Sequence, residues 1–314
     1  MELRRVQETG GTYLISLPKG WAKRVGLSRG SVVAVIERED GSLVVDPRYQ
    51  LTREAEVAAV SPSPHMEREI TGNYLLGYDI IHIDGRGRLP PNIRERVSGS
   101  IHRLIGLEIV EEDASRIVLQ CLLDPTSFPP DRILRREHLF ASSMLKDVMV
   151  AFFENDRQLA RGIVERDDEV DRLYFLIVRL LRTAILNPLL SEKMNIRPID
   201  CLDYRLVASF VESIADSTVE IAQSILEHSH IVALSDEVLQ PIRRLSDASL
   251  GMFGDAMRAV FARDLELAGG VIEQSSLVKE LVHGLDGLLT KQPPDVISYA
   301  SGVSASLDRV CDSS

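Results

Sequence analysis

An internal repeat in the C-terminal half of the chain limits the possible folds more than any other sequence feature. Residues 145–181, shifted by 108 positions, align with residues 253–289 with about a third of the residues identical. The identical pairs include Asp147 with Asp255, Met149 with Met257, Phe153 with Phe261, Gly162 with Gly270 and Glu165 with Glu273. A second match, offset by 96, aligns residues 207–216 with residues 303–312. Each copy therefore predicts two long helices followed by a third, which gives two tandem three-helix bundles with a shorter connection in the second.

Residues 1–50 have a different pattern, in which strand-like runs alternate with glycine turns. Strands are predicted at residues 12–17, 31–36 and 42–45. A short helix is predicted at residues 19–25, because Pro18 precedes it and Gly26 follows it. A unit this small has too little core to be stable alone, so we expect it to dimerise.

The segment between these two regions predicts a small α/β unit. Helices are predicted at residues 66–76 and after Pro91, and strands at residues 78–84, 107–110 and 116–123. Residues 124–131 contain three prolines and mark its end. The expected domains are therefore 1–50, 51–130 and 131–314, in a multidomain and mainly α-helical protein. We expect a connecting or sensing role for the middle unit, since the sequence gives no chemistry for it.

The charge of the chain is unevenly distributed. The 314 residues carry a formal net charge of −11, yet residues 1–30 contain six lysines or arginines and only two acids. A small basic module on an acidic body indicates a nucleic-acid contact near the N-terminus. The three cysteines are widely separated, so they support neither a disulfide framework nor a zinc site. Since no apolar run is long enough to span a bilayer, we expect a cytoplasmic protein without membrane insertion.

Paired acids on the predicted helices are the candidate chemical site. Glu212 and Asp216 lie one helical turn apart, and Asp308 and Asp312 repeat this spacing in the second copy. Periodicity places Glu212 and Asp216 opposite the apolar face, so both are expected to point outward. On the preceding helix of the first copy, Asp167 and Asp171 have the same spacing. These pairs are either solvated surface acids or an all-oxygen site for a hard cation or a bridged metal cluster.

These acids lie in segments that resemble PhoU proteins. Residues 164–173 (VERDDEVDRL), FVESIAD and, one repeat later, SLDRVCD are similar to the E(D)xxxD motifs of that family, over roughly residues 138–312. The resemblance implies surface metal clusters and repression of phosphate uptake. It assigns the motif to Glu212, Asp216, Asp308 and Asp312, with Asp167 and Asp171 as partners. The implied metal is iron or zinc, with magnesium or manganese as alternatives.

The second copy departs from this pattern. The counterparts of Asp167, Asp168 and Asp171 are Ser275, Ser276 and Lys279. The second site therefore lacks its facing acids, and the first bundle alone is expected to have a complete set of four carboxylates.

The N-terminal residues carry a second resemblance. Arg4-Arg5-Val6, the pair Gly10-Gly11 and the run YLISLPKGWAKRVGLSRGSVVAVI are similar to the AbrB/MazE/SpoVT swapped-hairpin domain, an obligate dimer. LPKGW resembles the version that is fused to PhoU in archaeal phosphate uptake regulators. The candidate contacts to DNA phosphates are Arg4, Arg5, Lys19, Lys23 and Arg24. The alternative is that these residues are ordinary charged residues of the protein surface. Trp21 is expected in the core of the hairpin dimer, with a base-stacking platform as the alternative.

The sequence contains no enzymatic motif such as HExxH or a glycine-framed nucleophile, so an enzyme is not expected. His228 and His230 are expected to be capping or surface residues, with metal ligation as the alternative. The favoured hypothesis is a homodimeric DNA-binding regulator that negatively controls phosphate transport from DNA upstream of the transport genes. The alternatives are a metal-dependent protein without a regulatory role, and an adaptor that does not bind DNA but contacts a phosphate ABC transporter ATPase or a sensor kinase.

Overall fold

The structure is a computed structural model that describes residues 2–38, 41–47, 55–85, 87–228 and 234–314. The chain divides into two compact units, Met1–Ala55 and Glu56–Ser314. In its described residues the first contains short hairpins and a helical segment, and the second contains an α/β layer and two helical bundles. The expected boundary between residues 50 and 51 lies outside the described residues.

The first unit is built from two hairpins. Its elements are β1 (Gln7–Thr9), β2 (Thr12–Leu14), α1 (Lys19–Arg24), β3 (Ala34–Glu37) and β4 (Leu43–Asp46). β1 pairs with β2 and β3 with β4, both antiparallel. Gly10 and Gly11 make the first turn with φ of 57° and 80°, a conformation that glycine adopts without strain. α1 confirms the predicted helix, whereas β1 was not predicted and β2 ends earlier than expected.

The apolar side chains of the first unit do not form a core. Asp46 is the only buried residue among those described in this unit. Tyr13, Val35 and Leu43 are 72%, 60% and 65% exposed. A single copy therefore leaves the apolar faces of its strands in water, at a cost in free energy that a partner surface would remove.

An α/β layer opens the second unit. Its elements are β5 (Val57–Val60), α2 (Met66–Leu76), β6 (Ile80–Asp84), α3 (Pro91–His102), β7 (Leu107–Glu112) and β8 (Arg116–Cys121). The sheet order is β5-β6-β8-β7, in which β5 and β6 are parallel and the other pairs are antiparallel. Met66, Ile70 and Tyr74 of α2 are fully buried in the core of this layer.

The first bundle follows a short 3₁₀ helix, Pro125–Ser127. Its helices are α4 (Pro130–Glu154), α5 (Arg157–Leu186), the short α6 (Pro188–Lys193) and α7 (Asp200–Glu227). α4, α5 and α7 pack on one another around an aliphatic core that continues into the second bundle.

The second bundle consists of α8 (Asp236–Ala262), α9 (Leu265–Leu289) and α10 (Pro294–Asp312). Asp156 and Asp264 cap α5 and α9 in the same way, since each accepts hydrogen bonds from the second and third backbone N–H groups after it. The predicted tandem three-helix bundles are present. The change of offset from 108 to 96 corresponds to α6 and its flanking turns, which the second copy lacks.

Arg179 of α5 holds the α/β layer against the first bundle. Its side chain is 7% exposed, and its guanidinium donates hydrogen bonds to the carbonyl oxygens of Tyr74 (2.6 Å) and Gly77 (3.4 Å). Gly77 ends α2 with φ of 97°. A cation at the C-terminus of a helix also complements the helix dipole, so Arg179 fixes α2 on α5.

Within the described residues, no helix has the length and apolar character that a membrane span requires.

Candidate metal centre and nucleic-acid interface

The contact between α5 and α7 brings the predicted acids of the first bundle together. Asp167, Asp171 and Glu212 are partly buried, and Asp216 is the most exposed of the four. Each of Asp167, Asp171 and Glu212 is close enough to Asp216 for that carboxylate to raise its pKa. The prediction that this motif faces outward therefore holds for Asp216, but Glu212 lies partly between the helices.

Burial is the main cause of the raised pKa values in this cluster, and mutual repulsion adds to it. Burial, followed by Asp216, Asp171 and Asp167, raises the pKa of Glu212 to about 7. Burial, followed by repulsion from Asp171, raises the pKa of Asp167 to about 6. The pKa values of Asp171 and Asp216 are also raised by burial. A bound cation would stabilise the ionised forms of these carboxylates, because burial and mutual repulsion disfavour ionisation of all of them at once.

Glu137 of α4 adds a fifth carboxyl group, which the sequence analysis did not identify. Its side chain is fully buried, and neither carboxyl oxygen has a hydrogen-bond partner. Burial and then the neighbouring Glu212 raise its pKa well above the ordinary value. The repeat contains the missing signal, since Glu137 corresponds to Leu245, a buried leucine of the second bundle. An acid where the other copy has a core leucine indicates a specific role.

Two arginines supply some positive charge to this cluster. Arg205 lowers the pKa of Glu137 and Glu212, and its guanidinium lies 4.8 Å from the ring centroid of Tyr174. Arg103, which follows α3, lowers the pKa of Asp171. The arginines offset the repulsion only in part, because the pKa values of Asp167, Asp171 and Glu212 are still raised.

The donor chemistry of the cluster fits a metal ion. All five groups are carboxylates, the ligands that hard cations prefer, and Glu137 is a buried acceptor without a partner. In the described part of the chain, however, no three histidine, cysteine, aspartate or glutamate side chains are close enough together to hold one ion. Binding would therefore require these side chains to move toward one another.

The second bundle has a different charge arrangement. Burial and then Asp312 raise the pKa of Asp308, whereas Lys279 lowers it. Lys279 of α9 occupies the position that corresponds to Asp171, and Ser275 corresponds to Asp167. A lysine ammonium therefore supplies positive charge beside Asp308, while Asp286, another acid of α9, also raises the pKa of Asp308.

The predicted DNA-contacting residues all lie in the first unit and are exposed. Arg4 and Arg5 precede β1, and Lys19, Lys23 and Arg24 lie on α1. Lys19 and Lys23 are one turn apart and share a face of α1. Arg4 forms an ion pair with Glu2, which leaves the other four cations available for phosphate groups. Trp21 is partly buried within the single copy.

Of the two histidines considered as metal ligands, the structure describes His228. The His228 ring contacts the carbonyl oxygen of Ser224 at 2.8 Å and packs 4.5 Å from the ring of Tyr299. His230 lies outside the described residues. His228 therefore has a structural role at the end of α7.

The fold and the two candidate sites define a class of protein in which a small basic hairpin module is joined to a duplicated helical bundle. Residues 134–225 match the PhoU domain, and residues 6–50 match the antidote-toxin recognition domain of MazE, a bacterial antitoxin. Both predicted resemblances are confirmed.

A curated relative and a solved structure agree with this assignment. The chain is 29% identical over 149 residues to the phosphate-specific transport system accessory protein PhoU homolog of Rhizobium meliloti (strain 1021). This match covers 46% of the chain and 60% of that relative. The crystal structure of the phosphate transport system regulatory protein PhoU from Streptococcus pneumoniae matches with a TM-score of 0.50 at 14% identity. The match covers 59% of this chain and 87% of the Streptococcus pneumoniae chain. The similarity shows that the helical bundles have the PhoU fold.

Proposed function

We propose that the chain is a DNA-binding regulator that negatively controls phosphate transport, and not an enzyme. The observation that carries this proposal is the presence of both domain matches in one chain. The relatives of the bundles are named for the phosphate transport system, and MazE-type domains suggest a DNA-binding module. The three free cysteines suit the reducing cytoplasm in which such a regulator would act.

We further propose that the first unit binds DNA as a homodimer. Its strands expose apolar side chains that a second copy would cover, and pairing two copies would double the basic surface around Lys19 and Lys23. Basic residues on a symmetric pair can contact phosphates on both halves of a DNA site.

An electrophoretic mobility shift with DNA from upstream of phosphate transport genes tests this function. The variant with Arg4, Arg5, Lys23 and Arg24 replaced by alanine is expected to lose the shift. The matched control replaces four exposed arginines of the second unit by alanine, namely Arg132, Arg161, Arg182 and Arg244. Removing each side chain that binds a phosphate should also reduce the slope of log affinity against log salt by about 0.9. No shift by the parent chain at any salt concentration would overturn the DNA-binding part.

The alternative function is an adaptor that binds the transporter ATPase or a sensor kinase through its bundles. The acidic surface of the second unit favours this alternative, since a basic partner surface would complement it. Capture of the transporter ATPase by the full chain, together with no affinity for DNA, would select the adaptor.

For the first bundle, we propose a metal site formed by Asp167, Asp171, Glu212 and Asp216, with Glu137 beneath them. A bound cation would neutralise carboxylates that otherwise repel one another. Iron and zinc are the first candidates, and magnesium and manganese are the alternatives. For the second bundle, the corresponding proposal rests on Asp308 and Asp312, and Lys279 disfavours it.

Elemental analysis of the purified protein tests the metal proposal. Replacing Glu212 and Asp216 by alanine is expected to abolish the metal content of the first bundle. The control replaces Asp203 and Glu227, exposed acids of the same helix, by alanine and should keep the metal. A parent protein without metal, after purification in the presence of iron, zinc, magnesium and manganese, would refute the site.

A further inference from the structure

The α/β layer meets the acidic cluster of the first bundle along one face of α5. The cluster consists of Glu137, Asp167, Asp171, Glu212 and Asp216. Asp171, Phe175 and Arg179 follow one another at four-residue spacing and so share a face of α5. Phe175 packs against the core of the α/β layer, and Arg179 donates hydrogen bonds to two carbonyl oxygens at the end of α2. Asp171 therefore lies on the face of α5 that meets the layer, one turn from Phe175.

The turn between α3 and β7, residues 103–106, contacts both the layer and the bundle. Leu104 is buried in the core of the α/β layer, whereas Ile105 packs against the core of the first bundle. The hydroxyl of Tyr74 donates a hydrogen bond of 2.9 Å to the carbonyl oxygen of Ile105. The backbone of this turn is therefore held in place beside the first bundle.

Arg103 is the first residue of this turn, and its charge acts on the acidic cluster. Burial and then the neighbouring Asp216 raise the pKa of Asp171, whereas the positive charge of Arg103 lowers it. The α/β layer thus supplies a cation to acids that belong to the bundle.

The two arginines beside the cluster differ in how their side chains are held. Arg205 of α7 is partly buried, and its guanidinium stacks on the ring of Tyr174. Arg103 is exposed. An exposed arginine side chain has several rotatable bonds, and it can turn away from an acid into water without a change in the backbone. Of these two cations, Arg103 is therefore the one that can leave the cluster.

We propose that Arg103 is the counter-ion of the acidic cluster in the metal-free protein and leaves the cluster when a divalent cation binds there. This inference rests on the metal site proposed above. A guanidinium and a bound metal ion repel each other, so Arg103 beside Asp171 opposes metal binding. Arg103 is therefore not a ligand. It is a residue of the α/β layer that sets the metal affinity of the first bundle.

A titration of the full chain with Mn²⁺ tests this role. Mn²⁺ is the probe because carboxylate oxygens suit it better than thiolates do, and the electron paramagnetic resonance signal of the free ion measures binding. Arg103→Ala is expected to bind Mn²⁺ about three- to tenfold more tightly than the parent, because it removes a like charge beside the site. Arg103→Lys keeps the charge and should bind as the parent does.

Arg68→Ala is the matched control, since it removes the same charge from the same layer. Arg68 is exposed and lies near the start of α2, about 13 Å along the helix from the end that meets α5. Salt screens exposed charges at such distances, so the affinity should change by less than about twofold.

Thermal unfolding in the presence of a chelator tests the counter-ion without metal. Arg103→Ala should lower the midpoint, because the acids lose a compensating charge. The same substitution in an Asp171→Asn background should lower it less, since the two charges act on each other. With saturating Mn²⁺ the loss should be smaller than in chelator, whereas a purely structural role of Arg103 would give equal losses.

The outcomes separate this inference from the metal site itself. Tighter binding by Arg103→Ala but not by Arg68→Ala supports the proposal. Equal affinities of these two variants, or weaker binding by Arg103→Ala, overturn it and leave the metal site standing. If the parent does not bind Mn²⁺, displacement by this ion is wrong, and the measurements in chelator decide the counter-ion. Equal losses in the parent and Asp171→Asn backgrounds would then overturn that assignment too.

Discussion

Single residues give the two bundles different charges at corresponding positions. Glu137 of the first bundle corresponds to Leu245, and Asp171 corresponds to Lys279. The first difference places an acid in the core of the first bundle, and the second places an acid where the second bundle has a cation. The first bundle thus has carboxylates whose charges are only partly offset. The second bundle has an apolar residue, Leu245, at the buried position and a cation, Lys279, beside its acids.

Replacing Glu137 by leucine is expected to stabilise the metal-free protein. The leucine restores the arrangement of the second bundle and removes a buried carboxyl group without a hydrogen-bond partner. The free energy of unfolding should rise by about 1–3 kcal/mol. Urea denaturation in the presence of a chelator measures it. The reverse change, Leu245→Glu, should destabilise the protein, and a stability loss in Glu137→Leu would contradict the argument.

The stability of the metal-free protein should depend on pH through Glu212. Its pKa is about 7 in the folded protein and 4.5 ordinarily, so the folded state binds more protons between these values. Stability is therefore expected to fall as pH rises from about 4.5 to about 7. Glu212→Gln should flatten this slope and add about 1 kcal/mol at pH 8, after allowance for solvent screening. The measurement is thermal unfolding of the parent and of Glu212→Gln across this pH range. An equal slope in the two proteins would contradict the assignment of the pH dependence to Glu212.

At the level of elements, long helices were predictable and short segments were not. α2 has the predicted bounds, and the repeat predicted the order of the bundle helices, because a long apolar periodicity averages over many residues. β5 has the sequence VAAV, which is too short to separate a buried strand from a helix, and the six residues of α6 are less than two turns.

The residues of the candidate site were also only partly predictable from the sequence. The spacing of acids identified Asp167, Asp171, Glu212 and Asp216. It could not identify Glu137, because that contact depends on how α4 packs against α7.

The end of α7 offers an element-scale prediction. Arg157→Ala removes the hydrogen bonds to the carbonyl oxygens of Ile225 and His228 and should destabilise the protein by about 2 kcal/mol. Hydrogen exchange should increase in the last turn of α7 more than elsewhere. Leu265→Ala changes the corresponding residue of the second bundle, which is 87% exposed, and should have little effect. Equal effects of the two substitutions would argue against a capping role.

For the whole molecule, the two units differ in how they are stabilised. The second unit has an extended core of its own, whereas the first leaves its apolar residues exposed. We expect the first unit to hold two copies together. Val35→Glu with Leu43→Glu should therefore convert a dimer into a monomer in sedimentation analysis while the bundles remain folded. Leu122→Glu serves as the control, and a dimer that survives the double substitution would place the interface elsewhere.

α5 gives this architecture a mechanical property. Asp171 lies in the acidic cluster, and Arg179, two turns further along, holds the C-terminus of α2. Eight residues of helix span about 12 Å, and a helix does not compress over that length. The acids of α5 and the contact with the α/β layer therefore lie on the same rigid helix. A ligand that draws the acids together by sliding or rotating α5 must move Arg179 with it. The position of the α/β layer would then change when a ligand binds to the first bundle. Labels placed on α2 and α9 would detect that movement as a change in distance.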